Sequence, residues 1–137
     1  MTAPTAPAPI GLRPDLAFLL YQFENRNRGA VRTVAVSADG LLLCASGSVD
    51  SQPQAETLAA ICSGMTSLVV GLAKQLGAGP QADIGIVMDI GSTMIAGPFG
   101  NAYLMTLAPP NADMGAINEA LLKLGESFLV QLSPAAR

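Results

Sequence analysis

The chain has no histidine and no tryptophan, and its only lysines are Lys74 and Lys123. Without histidine there is no Ser-His-Asp or Cys-His catalysis and no histidine-ligated metal. Two lysines and no GxxxxGK[ST] string leave little for phosphate chemistry. Charged residues make up only 12% of the chain, with ten acidic against seven basic side chains, and a net charge of −3 argues against nucleic acid as the main partner. Two cysteines, Cys44 and Cys62, are too few for a disulfide framework and read as free buried thiols. What remains is 137 residues, half of them hydrophobic, with 14 Gly and 10 Pro. That profile suits a binding or assembly module and not an enzyme. No cofactor and no metal is expected.

The length fits one domain. A chain of this size buries only about two thirds of its surface. With so few charges to cover the remainder, some apolar surface is expected to meet a partner. Residues 57–73 and 90–112 carry no charge and approach membrane-spanning length. The second stretch holds Gly97-Pro98 and Phe99-Gly100-Asn101, turn chemistry that lipid does not tolerate, and the first carries Cys62, Ser63, Gly64, Thr66 and Ser67. No transmembrane span is therefore expected. The first residues show neither a basic nor an apolar signal region, so a location in the cytoplasm, or at the membrane periphery through partners, is expected.

Residues 1–14, with Pro4, Pro7, Pro9 and Pro14, read as an extended, disordered tail. Asp15 is then a candidate N-cap. Leu16, Leu19, Leu20 and Phe23 follow at helical spacing, and Gly29 suits a helix stop. Strands are expected at 31–36 and 41–45, joined by Ser37-Ala38-Asp39-Gly40, whose Asp-Gly pair is hairpin chemistry. Asp39 is accordingly a turn residue.

Residues 52–76 carry the longest helical pattern, opened by Pro53 and closed by Gly77-Ala78-Gly79-Pro80. Leu58, Ile61, Met65, Leu68, Leu72 and Leu76 share one face, and Glu56, Ser63, Ser67, Val70 and Lys74 lie almost opposite. Between them run two flanks of small residues: Ala60, Gly64 and Gly71 on one, and Ala55, Ala59, Cys62, Thr66 and Ala73 on the other. A mid-helix glycine costs roughly 1 kcal/mol against alanine. Two on one flank point either to a second backbone close by or to close packing on the helix's own sheet.

Strands follow at 83–89, 92–96 and 102–107, with a turn expected over 97–101. Ile84, Ile86 and Met88 alternate with Gly85 and Val87, and Gly85 on an edge would let another strand approach. Asp113 caps a last helix striped by Met114, Ile117, Leu121, Leu124 and Phe128. The order α-β-β-α-β-β-β-α predicts an α+β sandwich: a five-stranded antiparallel sheet with helices on both faces. Residues 15–131 form the domain and 132–137 a C-terminal tail.

Three patches in this order carry a family resemblance: Ser37-Ala38-Asp39-Gly40-Leu41-Leu42 in the first hairpin, Leu58-Ala59-Ala60-Ile61-Cys62-Ser63-Gly64-Met65 in the middle helix, and Asn111-Ala112-Asp113-Met114-Gly115 at the start of the last. Together with the element order, they make residues 15–131 resemble the Roadblock/LC7 family, and its bacterial, actinomycete-type members most. The resemblance implies a profilin-like sandwich with the middle helix on one face and both terminal helices on the other. It implies a homodimer or heterodimer that pairs the third strands edge to edge and lays the middle helices side by side. That places Ala60, Gly64, Gly71, Ile84, Gly85 and Ile86 at a dimer interface. It further implies a non-catalytic regulator or scaffold for a small Ras-like GTPase, similar to the gliding-motility regulator or to conservon-type modules that also contain a sensor-kinase-like protein.

The surface offered to such a partner would be Glu56, Ser63, Ser67, Val70 and Lys74. The arginines are Arg13, Arg26, Arg28, Arg32 and Arg137, none on the middle helix, so that surface supplies no arginine finger. The alternative function is a small-molecule sensor or adaptor of profilin- or PAS-like shape, which needs a cavity with converging polar groups such as Ser, Thr and Tyr103. As enzyme nucleophiles, Cys44, Cys62 and Ser63 lack a histidine base. Asp83 and Asp89 on one strand would stand about 20 Å apart, too far to share a metal.

Overall fold

A computed structural model describes residues 10–27, 32–46, 49 and 51–132. A 3-10 turn at Pro14–Leu16 leads into α1 (Ala17–Arg26). There follow β1 (Thr33–Ser37), β2 (Leu42–Ala45), α2 (Gln52–Leu76), β3 (Ala82–Val87), β4 (Ser92–Phe99), β5 (Ala102–Ala108) and α3 (Met114–Leu132). The strands form one antiparallel sheet in the order β2-β1-β5-β4-β3. This is the expected α+β sandwich.

Two apolar layers hold it. On one face Leu16, Leu19, Leu20 and Phe23 join Ile117, Leu121, Leu124 and Phe128 over Ala35, Ala96 and Leu104. Both helices place their apolar residues three and four apart, so each presents one continuous stripe to the sheet. Gly125 lets α3 sit down on β4, because a Cβ there would run into the Phe99 ring. On the other face Ala55, Ala59 and Cys62 of α2 meet Val34, Val36, Ile95, Tyr103 and Met105.

Local chemistry explains the element ends. Gly40 takes φ +86° in the β1–β2 turn, where its N–H donates to the Ser37 carbonyl at 2.9 Å. The Ser51 hydroxyl accepts from the Gln54 N–H at 3.3 Å to start α2, and left-handed Gly77 ends it. Asp113 Oδ1 accepts from the Ala116 N–H at 3.1 Å and caps α3 as expected.

Three local expectations are corrected. Asp15 is not a cap: it lies inside the 3-10 turn and pairs with Arg13 at 3.0 Å. Strand β4 does not stop at Ala96 but continues through Gly97-Pro98 to Phe99, absorbing an irregularity in its register with β5. β3 ends at Val87, so Asp89 lies beyond it and shares no strand with Asp83.

Residues 10–14, expected as the end of the tail, are part of the fold. The Leu12 and Arg13 N–H groups donate to the Leu42 and Leu43 carbonyls at 3.0 and 2.7 Å, along the outer edge of β2. Gly29 and residues 1–9 and 133–137 lie outside the described residues.

Candidate functional site: the outer face of α2 and the β3 edge

The buried flank of α2 is the small one. Ala55, Ala59, Cys62 and Thr66 are buried, and their size lets the helix lie close to β1 and β2. Of the large apolar residues, Leu58 and Met65 are half-buried against the core, while the others turn away from the sheet: Leu68 is 77% exposed and Leu76 69%, with Ile61 and Leu72 also exposed. By length and composition α2 could cross a membrane. Here it instead rests one flank on a sheet. Each large aliphatic side chain is worth roughly 1.5–3 kcal/mol when fully buried, so this stripe holds several kcal/mol that the single chain does not collect.

The Ala60, Gly64 and Gly71 flank borders the same exposed stripe. A Cβ on Gly64 or Gly71 meets nothing within 4 Å. Packing on the helix's own sheet therefore does not explain these glycines. Replacing Gly71 by Ala in an isolated chain is expected to stabilise α2 by roughly 0.5–1 kcal/mol, read from urea unfolding.

β3 is the sheet's last strand, paired only with β4. Among the described residues nothing pairs with its outer edge, whereas β2's edge is covered by residues 12 and 13. Ile84, Gly85 and Ile86 thus lie on an open edge, the geometry that accepts another strand. Gly85 sits opposite Met94 in the β4 register, and a Cβ there would reach the Met94 methyl at 3.6 Å, an ordinary contact. At the end of β3 and just past it, Val87 and Ile90 are more than four-fifths exposed.

On the other side of α2, Glu56, Ser67 and Lys74 are exposed, while Ser63 and Val70 are half-buried. Gln52 Nε2 donates to Glu56 Oε1 at 2.9 Å. Ser63 lies against the β1–β2 turn, where a Cβ on Gly40 would stand 2.9 Å from its hydroxyl. Ser67, Val70 and Lys74 line a groove between α2 and one end of the sheet. The five residues form one helix face, but they do not converge as catalytic groups would.

Burial pushes both thiols, Cys44 and Cys62, up to about 12. Neither forms a disulfide. A thiol reagent at pH 8 should leave the native protein unlabelled and label both cysteines on unfolding. The sign of the linked pH dependence follows. Between about 9 and 12 the unfolded chain loses thiol protons that the folded one keeps, so folding stability falls as pH rises through that window. Urea titrations at pH 8 and pH 10 measure it.

A five-stranded antiparallel sheet with α2 on one face and α1 and α3 on the other defines a class of α+β sandwich domain. The Roadblock/LC7 domain family model matches residues 17–108, and the chain belongs to that family. Its fold is similar to that of a Roadblock/LC7 domain from Streptomyces avermitilis, at TM-score 0.78 and 22% identity over 85% of this chain and 96% of that one. It is also similar to Myxococcus xanthus MglB, at TM-score 0.76 and 14% identity over 85% and 94%. MglB in a tetrameric arrangement superposes at TM-score 0.74 and 16% identity over 92% and 96%. No curated protein sequence matches the chain.

Sequence reasoning picked out the β3 edge and the small flanks. It did not assign the apolar stripe Ile61, Leu68, Leu72 and Leu76 to the outside. The available signal was that α2 is apolar on more than one side, which means more than one surface to cover.

Proposed function

We propose that the protein is a non-catalytic, self-associating regulator or scaffold that binds a small Ras-like GTPase in the cytoplasm, and through it other signalling proteins such as a sensor-kinase-like partner. The carrying observation is the exposed apolar stripe of α2 bordering the glycine flank, on the same molecule as an unpaired β3 edge. A second copy satisfies all three at once: the β3 edges pair, the glycines admit a neighbouring helix, and the stripes cover one another. The family and the likeness to MglB support this reading.

Glu56, Ser63, Ser67, Val70 and Lys74 then remain outside for the GTPase. With no arginine on α2, any acceleration of GTP hydrolysis would come from ordering the GTPase's own residues. High-lying thiols and the missing histidine support a non-catalytic role. The test is binding of Ras-like GTPases from the source organism, loaded with GDP or a GTP analogue. One of them should bind, and Ser67→Arg should weaken it at least about tenfold without altering the oligomer. Failure of every such GTPase to bind in either nucleotide state would remove the proposal.

A further inference from the structure

Under the C-terminal half of α2 a groove of about 760 Å³ opens between the helix and one end of the sheet. This lies within the roughly 300–1,000 Å³ typical of small-molecule sites. Val70, Ile84 and Pro98 give it apolar walls, and Lys74 is the one charged residue in its lining. Gln81 Nε2 donates to the Pro98 carbonyl at 2.7 Å and ties the residue before β3 to the end of β4 beside the groove.

Tyr103 is the second observation. It lines the groove with its ring buried at only 7% exposure, and its hydroxyl, which makes no hydrogen bond to the described residues, is left open to solvent. Burial also raises its pKa, so the phenol stays protonated and available as a donor. Lys74 likewise makes no ion pair among the described residues. The groove thus offers an apolar wall, one hydroxyl donor and one cation, with no carboxylate in its lining.

The geometry assigns this groove to a free aliphatic monocarboxylate, its chain against Val70, Ile84 and Pro98 and its carboxylate between the Tyr103 hydroxyl and the Lys74 ammonium. An uncharged lipid would leave Lys74 unpaired, and a polyanion would find only one cation. The inference is independent of the GTPase reading. Binding would still place a ligand beside Ser67, Val70 and Lys74, on the face offered to the partner.

The test is calorimetric titration with decanoate, below its micellar range, against 1-decanol as the uncharged control. Saturable binding of one decanoate per chain is expected, with decanol at least about tenfold weaker. Tyr103→Phe keeps the ring and the core and should weaken decanoate about tenfold. Lys74→Met should weaken it a few-fold, as suits an exposed charge. No saturable binding, or equal affinity in Tyr103→Phe, overturns the inference. So does an affinity that falls as protein concentration rises, because the groove would then belong to a second copy. Loss of binding in Leu68→Glu/Leu72→Glu, with Tyr103→Phe unaffected, would place decanoate on the exposed stripe and also overturn it.

Discussion

Leu68→Glu combined with Leu72→Glu should leave the protein folded and monomeric. Both side chains are exposed in the single chain, so the folded monomer loses almost no packing. In the proposed assembly both are buried, and each leucine carries roughly 1.5–3 kcal/mol of transfer free energy. Losing two of them, and burying two carboxylates without partners, should raise the dissociation constant by a factor of at least about 100. Sedimentation velocity reads the mass and circular dichroism reads the fold. Gly64→Leu acts by a different route. Its new side chain meets open space in the single chain and raises helix propensity, so the monomer should be slightly more stable while the assembly weakens. A variant pair that sediments like the parent chain would show that this flank and stripe are not the contact surface.

Phe128→Ala should be the most damaging single change to folding, at about 3–5 kcal/mol in urea unfolding. Phe128 is fully buried at the centre of the layer that α1 and α3 share. Its removal leaves a cavity that cannot collapse easily, because α3 is already seated on the sheet through Gly125 against Phe99. Gly125→Ala probes the same seat from the other direction, and overpacking there should cost about 1–3 kcal/mol. These substitutions act on the face of the sheet opposite α2. Their effect on self-association should follow the loss of folded chain and nothing more.

The elements most legible in the sequence were those with one apolar stripe. Leu16, Leu19, Leu20 and Phe23, and likewise Ile117, Leu121, Leu124 and Phe128, are periodic, and they are buried as their spacing implies. The extent of α2 was equally plain, because Pro53 and Gly77 mark its ends. Its orientation was not. Periodicity says that a face is apolar but not which of two apolar faces meets the sheet, and here close approach favoured Ala55, Ala59 and Cys62 over the larger leucines. The extension of β4 through Gly97-Pro98 was hidden by residues that usually signal a turn. The pairing of residues 12 and 13 with β2 was hidden for another reason. Backbone hydrogen bonds along an edge leave no side-chain pattern to read. Long-range polar contacts were equally silent: the Thr33 and Thr106 hydroxyls meet at 2.9 Å across β1 and β5, far apart in the chain. The groove at Tyr103 depends on how far the end of α2 stands from the sheet, which no local sequence feature specifies.

The central claim is that the open β3 edge and the α2 stripe are covered by a second copy of the chain. Its most direct test is the solution mass of the unmodified protein, measured by sedimentation equilibrium over a range of concentrations. The account predicts twice the chain mass, or a larger even multiple, at micromolar concentration. A single chain mass at every concentration, with the fold intact, would contradict it.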